Sequence, residues 1–146
     1  MDRLTSPSSR GRPGQPRLIE IGIPAYNEED TIGEVLRRTL SVVRELGGRL
    51  DVKLVVVDDG SVDGTGDIAR SLGAIVLSHD RNRGPGASKR TFLTYALRTG
   101  ADIVVLMDAD GQHPPEEIPK LLEPILLSLI HISEPTRPRL ISYAVF

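Results

Sequence analysis

Two aspartates one residue apart, Asp108 and Asp110, follow the apolar run Ile103-Val104-Val105-Leu106-Met107. Carboxylates so placed at the end of a buried strand can share one hard divalent cation, because Mg²⁺ and Mn²⁺ both favour oxygen donors. Gly111 keeps the following turn open, and Gln112 offers another oxygen. A cation held there can grip a diphosphate. Acidic residues after strands are common, so the pair gains its weight from polar clusters at other strand ends.

The first such cluster is Pro24-Ala25-Tyr26-Asn27-Glu28-Glu29-Asp30. A ring and a carboxylate on one short loop can hold a nucleobase, Tyr26 by packing and Glu28 by accepting from ring N–H groups. Glu29 and Asp30 are expected to favour the dipole of the helix that follows. The second cluster is Asp58-Asp59-Gly60-Ser61, then Asp63-Gly64-Thr65. Asp58 directly follows its strand and is expected to project over the sheet edge towards a base or ribose. Asp63, Gly64 and Thr65 are expected to form the turn and cap a short helix.

The third cluster runs from His79 to Arg90. Gly84 and Gly86, just before a helix, allow close backbone approach to a ligand, and the amino end of that helix favours an anion. Its glycine pattern is incomplete and follows the third strand rather than the first, which argues against a dinucleotide oxidoreductase. His79 reads as a loop residue. His113 fits either a metal neighbourhood or the start of a helix.

These residues need a frame, and alternating strand and helix signals supply one. Strands are predicted at 18–23, closed by Pro24, and at 52–57, 74–77 and 103–107. Helices are predicted from Thr31, with Thr31 and Glu34 as a capping box and Gly47-Gly48 as the stop, from about 65 to 72, from about 86 to 99, and after Pro114-Pro115. Repeated β-α-β units imply an α/β fold: a parallel sheet of about four strands with helices on both faces. Ligands of such sheets bind beyond the carboxyl ends of the strands.

Residues 1–17, rich in Ser, Pro, Gly and Arg, are expected to form a disordered tail. At the other end, Leu127–Arg137 reads LSLIHISEPTR and Ile141–Phe146 reads ISYAVF. Both resemble in-frame translations of the constant parts of a transposase-type sequencing adapter. On that reading 127–146 is a non-native tail without function, and the genuine domain, 18–126, breaks off near Leu126.

Composition limits the function classes. The chain of 146 residues has room for one domain. Residues 18–126 carry twelve Lys/Arg against eighteen Asp/Glu, an acidic excess that suits a metal site and gives no reason to expect nucleic acid. Cysteine is absent, which rules out disulfides and thiol chemistry. Neither a signal peptide nor an apolar run of membrane-spanning length is evident, so a soluble, cytoplasmic protein is expected.

In order and spacing, Pro24-Ala25-Tyr26-Asn27-Glu28, Val57-Asp58-Asp59-Gly60-Ser61 with Asp63-Gly64-Thr65, Asn82-Arg83-Gly84 and Asp108-Ala109-Asp110-Gly111-Gln112-His113 resemble the successive motifs of family 2 glycosyltransferases. The form with Gln112-His113-Pro114 resembles the branch of dolichyl- and polyprenyl-phosphate mannose or glucose synthases. The resemblance implies the donor-binding half of a Rossmann-like GT-A fold, a UDP- or GDP-sugar donor, Mg²⁺ or Mn²⁺, and inversion at the anomeric carbon. It implies nucleotide contacts from Pro24, Ala25, Tyr26, Glu28, Val56, Asp58, Asp108 and Ala109. Asp108, Asp110 and Gln112 would hold the metal. A polyprenyl-phosphate acceptor would place the full-length protein at the cytoplasmic face of a membrane. Such an acceptor is already an anion and needs no general base, and no catalytic residue is assigned. Two other readings remain: a non-catalytic nucleotide-sugar-binding fragment, and a receiver-type phosphotransfer domain suggested by Asp58-Asp59 and Lys89. Tyr26-Asn27-Glu28 stands where a receiver would carry an acidic pair, which weighs against the last.

Overall fold

Short strands rich in Ile and Val pair side by side into one parallel sheet. A computed structural model describes residues 18–46, 50–111, 114–130 and 142–145. In chain order its elements are β1 (Leu18–Ala25), α1 (Ile32–Glu45), β2 (Asp51–Asp58), α2 (Thr65–Ser71), β3 (Ile75–Ser78), α3 (Pro85–Thr99), β4 (Ile103–Leu106), a 3-10 turn (Pro115–Glu117), α4 (Ile118–Ile130) and β5 (Ser142–Val145). The sheet order is β3-β2-β1-β4-β5, with every neighbouring pair parallel.

Alternation along each strand sends side chains into two cores. Ile19, Ile21 and Ile23 of β1, Val56 of β2 and Val105 of β4 pack with Ile32, Val35 and Leu36 of α1 and with Ile118 and Leu122 of α4. On the opposite face Val55, Val57, Val104 and Leu106 meet Phe92 and Ala96 of α3. Helices therefore cover both faces, as the sequence pattern predicts. Gly22 makes the second core possible. A Cβ there would lie 2.4 Å from the Phe92 ring, so only glycine lets α3 settle this closely on β1.

Three details go beyond the pattern of the sequence. Pro24 does not close the first strand: it pairs with Val57, and Ala25 pairs with Asp58. The carbonyls of Leu18 and Gly22 accept bonds from the β4 side, from Asp102 and Met107, so by alternation the nitrogen of Pro24 also faces that side. The β1–β4 ladder stops at Gly22 and Leu106, and the missing donor of Pro24 removes no ladder bond. The sheet also has a fifth strand beyond the expected four, β5, in register with β4. Finally, α4 continues past Leu126 to Ile130. Gly47 and Gly48, expected to stop α1, lie outside the described residues, as does the 1–17 tail.

Candidate functional site

The strand order reverses between β1 and β4, the place where open parallel sheets leave a ligand crevice beyond the strand ends. Tyr26, Asn27 and Glu28 follow β1, and Asp108, Ala109 and Asp110 follow β4. Residues assigned to nucleoside and to metal thus flank one crevice. Sequence spacing alone cannot supply that adjacency.

The loop after β1 is stitched to the loop after β2. The amide of Asn27 donates to Ser61 Oγ at 2.9 Å, and Val62 returns its amide to Asn27 Oδ1 at 3.0 Å. Asn27 takes φ 51°, a left-handed conformation that Asn tolerates better than most residues. The amide of Glu28 donates to Thr65 Oγ1 at 2.8 Å. Asp63 anchors the same junction, accepting from the amides of Thr65 at 3.0 Å and Glu29 at 3.3 Å. Its expected turn-forming role therefore extends to the neighbouring loop. This frame holds the Tyr26 ring 43% exposed at the crevice. Glu29 corrects its helix-dipole reading: its Oε1 accepts the amide of Gly64 at 2.9 Å, at the start of α2 rather than α1.

Asp58, the last residue of β2, and Asp59, just past it, point to opposite faces. Asp58 Oδ1 accepts the amide of Ser61 at 3.1 Å, and its Oδ2 lies where a Cβ on Gly66 would come within 2.6 Å. Its carboxylate thus sits at the base of the 60–66 loop, partly exposed. Asp59 is buried on the α3 side. Its Oδ1 meets His79 Nδ1 at 2.7 Å and the amide of Arg83 at 2.9 Å, and its Oδ2 accepts the amide of Gly84 at 2.9 Å. Burial pulls this carboxyl's pKa up, but the bonds from His79 and from the Arg83 and Gly84 amides outweigh it, leaving the pKa below the ordinary aspartate value. His79 Nε2 reaches Thr91 Oγ1 at 2.8 Å, so both ring nitrogens are engaged inside the protein, as its loop reading requires. Gly60 completes the arrangement. At φ 76° it lets the Arg81-Asn82 backbone pass within 2.3 Å of where a Cβ would be.

Asp108 and Asp110 are exposed, with Ala109 buried between them. Thr31 holds that segment. Its hydroxyl donates to the Ala109 carbonyl at 2.8 Å and lies 3.2 Å from Glu28 Oε2. The capping box is therefore not formed. The one hydroxyl proton is taken by Ala109, the amides of Thr31 and Ile32 turn back to the Glu28 carbonyl, and Glu34 lies 3.8 Å from Arg38.

Asp108 and Asp110 are both exposed and one residue apart, hard oxygen donors of the kind Mg²⁺ takes alongside phosphate oxygens and water. Among the described residues no three His, Asp or Glu side chains converge on one point, so an all-protein cage is not formed by them. Gln112 and His113 lie outside the described residues. Ala25 and Ala109 are 4% and 3% exposed, and their carbonyls are engaged by the Asp59 amide and the Thr31 hydroxyl. Val56 has no exposed surface and packs in the core below the crevice, so its side chain cannot meet a nucleotide here. Asp59 and Thr31 had no expected part in the site. The signal available for Asp59 was strand alternation, which makes an acidic pair straddle the sheet.

Comparison with known proteins gives this geometry a context. The family model described as glycosyl transferase family 2 matches residues 20–127. The chain is 36% identical over 127 residues to a UDP-N-acetylglucosamine–dolichyl-phosphate N-acetylglucosaminyltransferase of Methanococcus voltae, covering 75% of this chain and 48% of that protein. It is 38% identical over 117 residues to an undecaprenyl-phosphate 4-deoxy-4-formamido-L-arabinose transferase of Pseudomonas fluorescens, covering 76% and 33%. Among solved structures, glucosyl-3-phosphoglycerate synthase of Mycobacterium tuberculosis, crystallised with Mn²⁺, uridine diphosphate and glucosyl-3-phosphoglycerate, is similar at 33% identity with a TM-score of 0.59, covering 75% and 40%. The chain spans less than half the length of each of these relatives.

Proposed function

This chain belongs to glycosyl transferase family 2, and from that premise we propose that its crevice is the donor site of a metal-dependent, inverting transferase. The donor is a nucleoside diphosphate sugar, and a polyprenyl phosphate at the cytoplasmic face of a membrane accepts the sugar. The observation that carries the reading is the placement of Asp108 and Asp110 across the β1–β4 crevice from Tyr26 and Glu28. The receiver-type alternative loses its support with the family assignment.

Each group has a part that its position allows. Tyr26 offers a ring face to the base, and Glu28 and Asp58 offer acceptors to base and ribose. Asp108 and Asp110 would hold the cation, joined by Gln112 as the family resemblance implies, and Thr31 keeps the Ala109 carbonyl between the two carboxylates in place. When bound, the cation neutralises charge that gathers on the diphosphate as the glycosidic bond breaks, an effect worth several kcal/mol, where about 1.4 kcal/mol changes a rate tenfold. A phosphate acceptor is already anionic, so attack on the anomeric carbon needs no proton removed by the protein.

The two polyprenyl-phosphate relatives support the acceptor class, and the synthase solved with Mn²⁺ and uridine diphosphate supports metal and donor. Among the described residues no helix is long and apolar enough to cross a membrane. Because this chain spans under half of those relatives, we assign donor binding to it and leave turnover to the longer proteins. Titration calorimetry with UDP and with GDP, each with and without Mn²⁺, tests the reading. Binding should require the metal and be lost in Asp110→Asn. Equal affinity without metal would rule out the carboxylate clamp.

A further inference from the structure

Away from the donor crevice, on the side of α3 that faces the edge strand β3, the surface opens into a cavity of about 420 Å³. Arg83, Arg90, Thr91, Thr94, Tyr95 and Arg98 line it, and no carboxylate does. Arg90, Thr94 and Arg98 recur every four residues along α3, so helical geometry stacks guanidinium, hydroxyl and guanidinium on one stripe. Among the described residues neither Arg90 nor Arg98 has an ion-pair or hydrogen-bond partner. Arg83 is steadied from outside by Asp80 at 2.8 Å.

Arg83 already has Asp80 as a partner, but Arg90 and Arg98 leave two uncompensated like charges on one stripe, which an anion would join. We propose that this cavity binds a phosphomonoester. Guanidinium groups match phosphate oxygens in fork geometry, and a dianion calls for more than one of them. Thr94 and Tyr95 supply hydroxyl donors for oxygens the arginines leave over. Tyr95 stays a donor, because burial and then the nearby Glu20 raise its pKa. The volume exceeds that of phosphate alone and leaves room for a small organic moiety, in the range usual for ligand pockets. His79 also lines the cavity, but its nitrogens are engaged by Asp59 and Thr91, so it shapes the wall rather than charging it. The cavity shares His79 and Arg83 with the Asp59 cluster, but no residue assigned to base, ribose or cation lines it. β3 stands at the sheet edge, with β2 between it and β1.

The phosphomonoester can belong to a soluble metabolite or to a lipid headgroup, and two arms of one experiment separate these sources. Glycerol 3-phosphate is titrated into the protein by calorimetry, and flotation is measured with phosphatidylcholine vesicles doped with phosphatidic acid. Arg90→Ala and Arg98→Ala should each weaken binding about tenfold, and the double variant should abolish it. Both arginines are exposed, so the thermal unfolding midpoint should stay unchanged and show the variants folded. Asp110→Asn should bind as the parent does, which keeps the result independent of the donor-site reading. Binding in the first arm identifies a soluble ligand, and binding only to vesicles identifies a lipid. Absence of binding in both arms, or binding that survives the double variant, overturns the proposal.

Discussion

The hydroxyl of Thr31 donates to the carbonyl of Ala109 at 2.8 Å, joining residues 78 apart in the chain. Thr31 follows the loop that presents Tyr26 and Glu28, and Ala109 sits between Asp108 and Asp110. This hydrogen bond therefore ties the two loops together above the β1–β4 pairing. Thr31→Val keeps the shape and removes the donor, leaving a buried carbonyl unpaired at a cost of about 1–3 kcal/mol. The variant should unfold at lower urea concentration, and its affinity for UDP with Mn²⁺ should fall several-fold. Unchanged affinity would mean the bond does not position the carboxylates.

Asp59 should make stability depend on acidity. Its folded pKa lies below the ordinary aspartate value, so its contribution is complete above that value and is lost as pH falls through the lower, folded one. The urea midpoint should therefore decline at pH below about 4, and the decline should be shallower in Asp59→Asn. At neutral pH that variant should cost about 2 kcal/mol, since three charge-assisted bonds to His79, Arg83 and Gly84 weaken together.

Glu20 carries the opposite sign. It is wholly buried under α3, with one oxygen accepting from Thr99 Oγ1 at 2.7 Å and the other without a hydrogen bond. Burial raises its pKa above the ordinary glutamate value, and the bond from Thr99 and the charge of Lys53 only partly offset this. Its contribution is present below the unfolded pKa and is lost as pH rises through the folded one. Glu20→Met should flatten that loss and raise stability at pH 8 by about 1–3 kcal/mol. Denaturant titration at pH 5 and pH 8 measures both effects, and a variant less stable at pH 8 would contradict the assignment.

Gly60 has no room for a side chain. A methyl group would meet the Arg81 carbonyl carbon at 2.3 Å, on a backbone already at φ 76°. Gly60→Ala should cost about 3 kcal/mol, combining backbone strain with displacement of the 81–82 loop. Thermal unfolding reads the loss. Hydrogen exchange should show it concentrated at Arg83 and Gly84, whose amides Asp59 holds.

Much of the frame was legible in the chain. The runs at 54–57 and 103–107 are apolar on both faces and rich in β-branched residues, which places them inside a covered parallel sheet, and β2 and β4 lie there. The reading failed where a residue had two partners open to it. Thr31 with Glu34 has the local pattern of a capping box, but Ala109 takes the hydroxyl proton. Glu29 precedes α1 in sequence, yet it bonds at the start of α2. Local pattern describes what a side chain can bond to, and only packing brings the competing acceptor within reach. Pro24 failed for a related reason, since its effect on a strand depends on which neighbour its nitrogen faces.

The sequence by itself supplied the groups on which the proposed chemistry rests. Asp108 and Asp110 one residue apart, an aromatic and a carboxylate after an earlier strand, and the order of the motifs between them all lie in residue type and spacing. It also placed Asp58 and Asp59 together at the end of one strand run. Tertiary structure decided which of the two meets which partner. α3 covers one face of the sheet, so Asp59 is buried against His79, Arg83 and Gly84, while Asp58 is left at the base of the 60–66 loop. It also brought the ends of β1 and β4 side by side, across more than 75 residues of chain, by the pairing of Ile19–Gly22 with Ile103–Leu106. Strand pairing is non-local, and no spacing along a single chain can specify it.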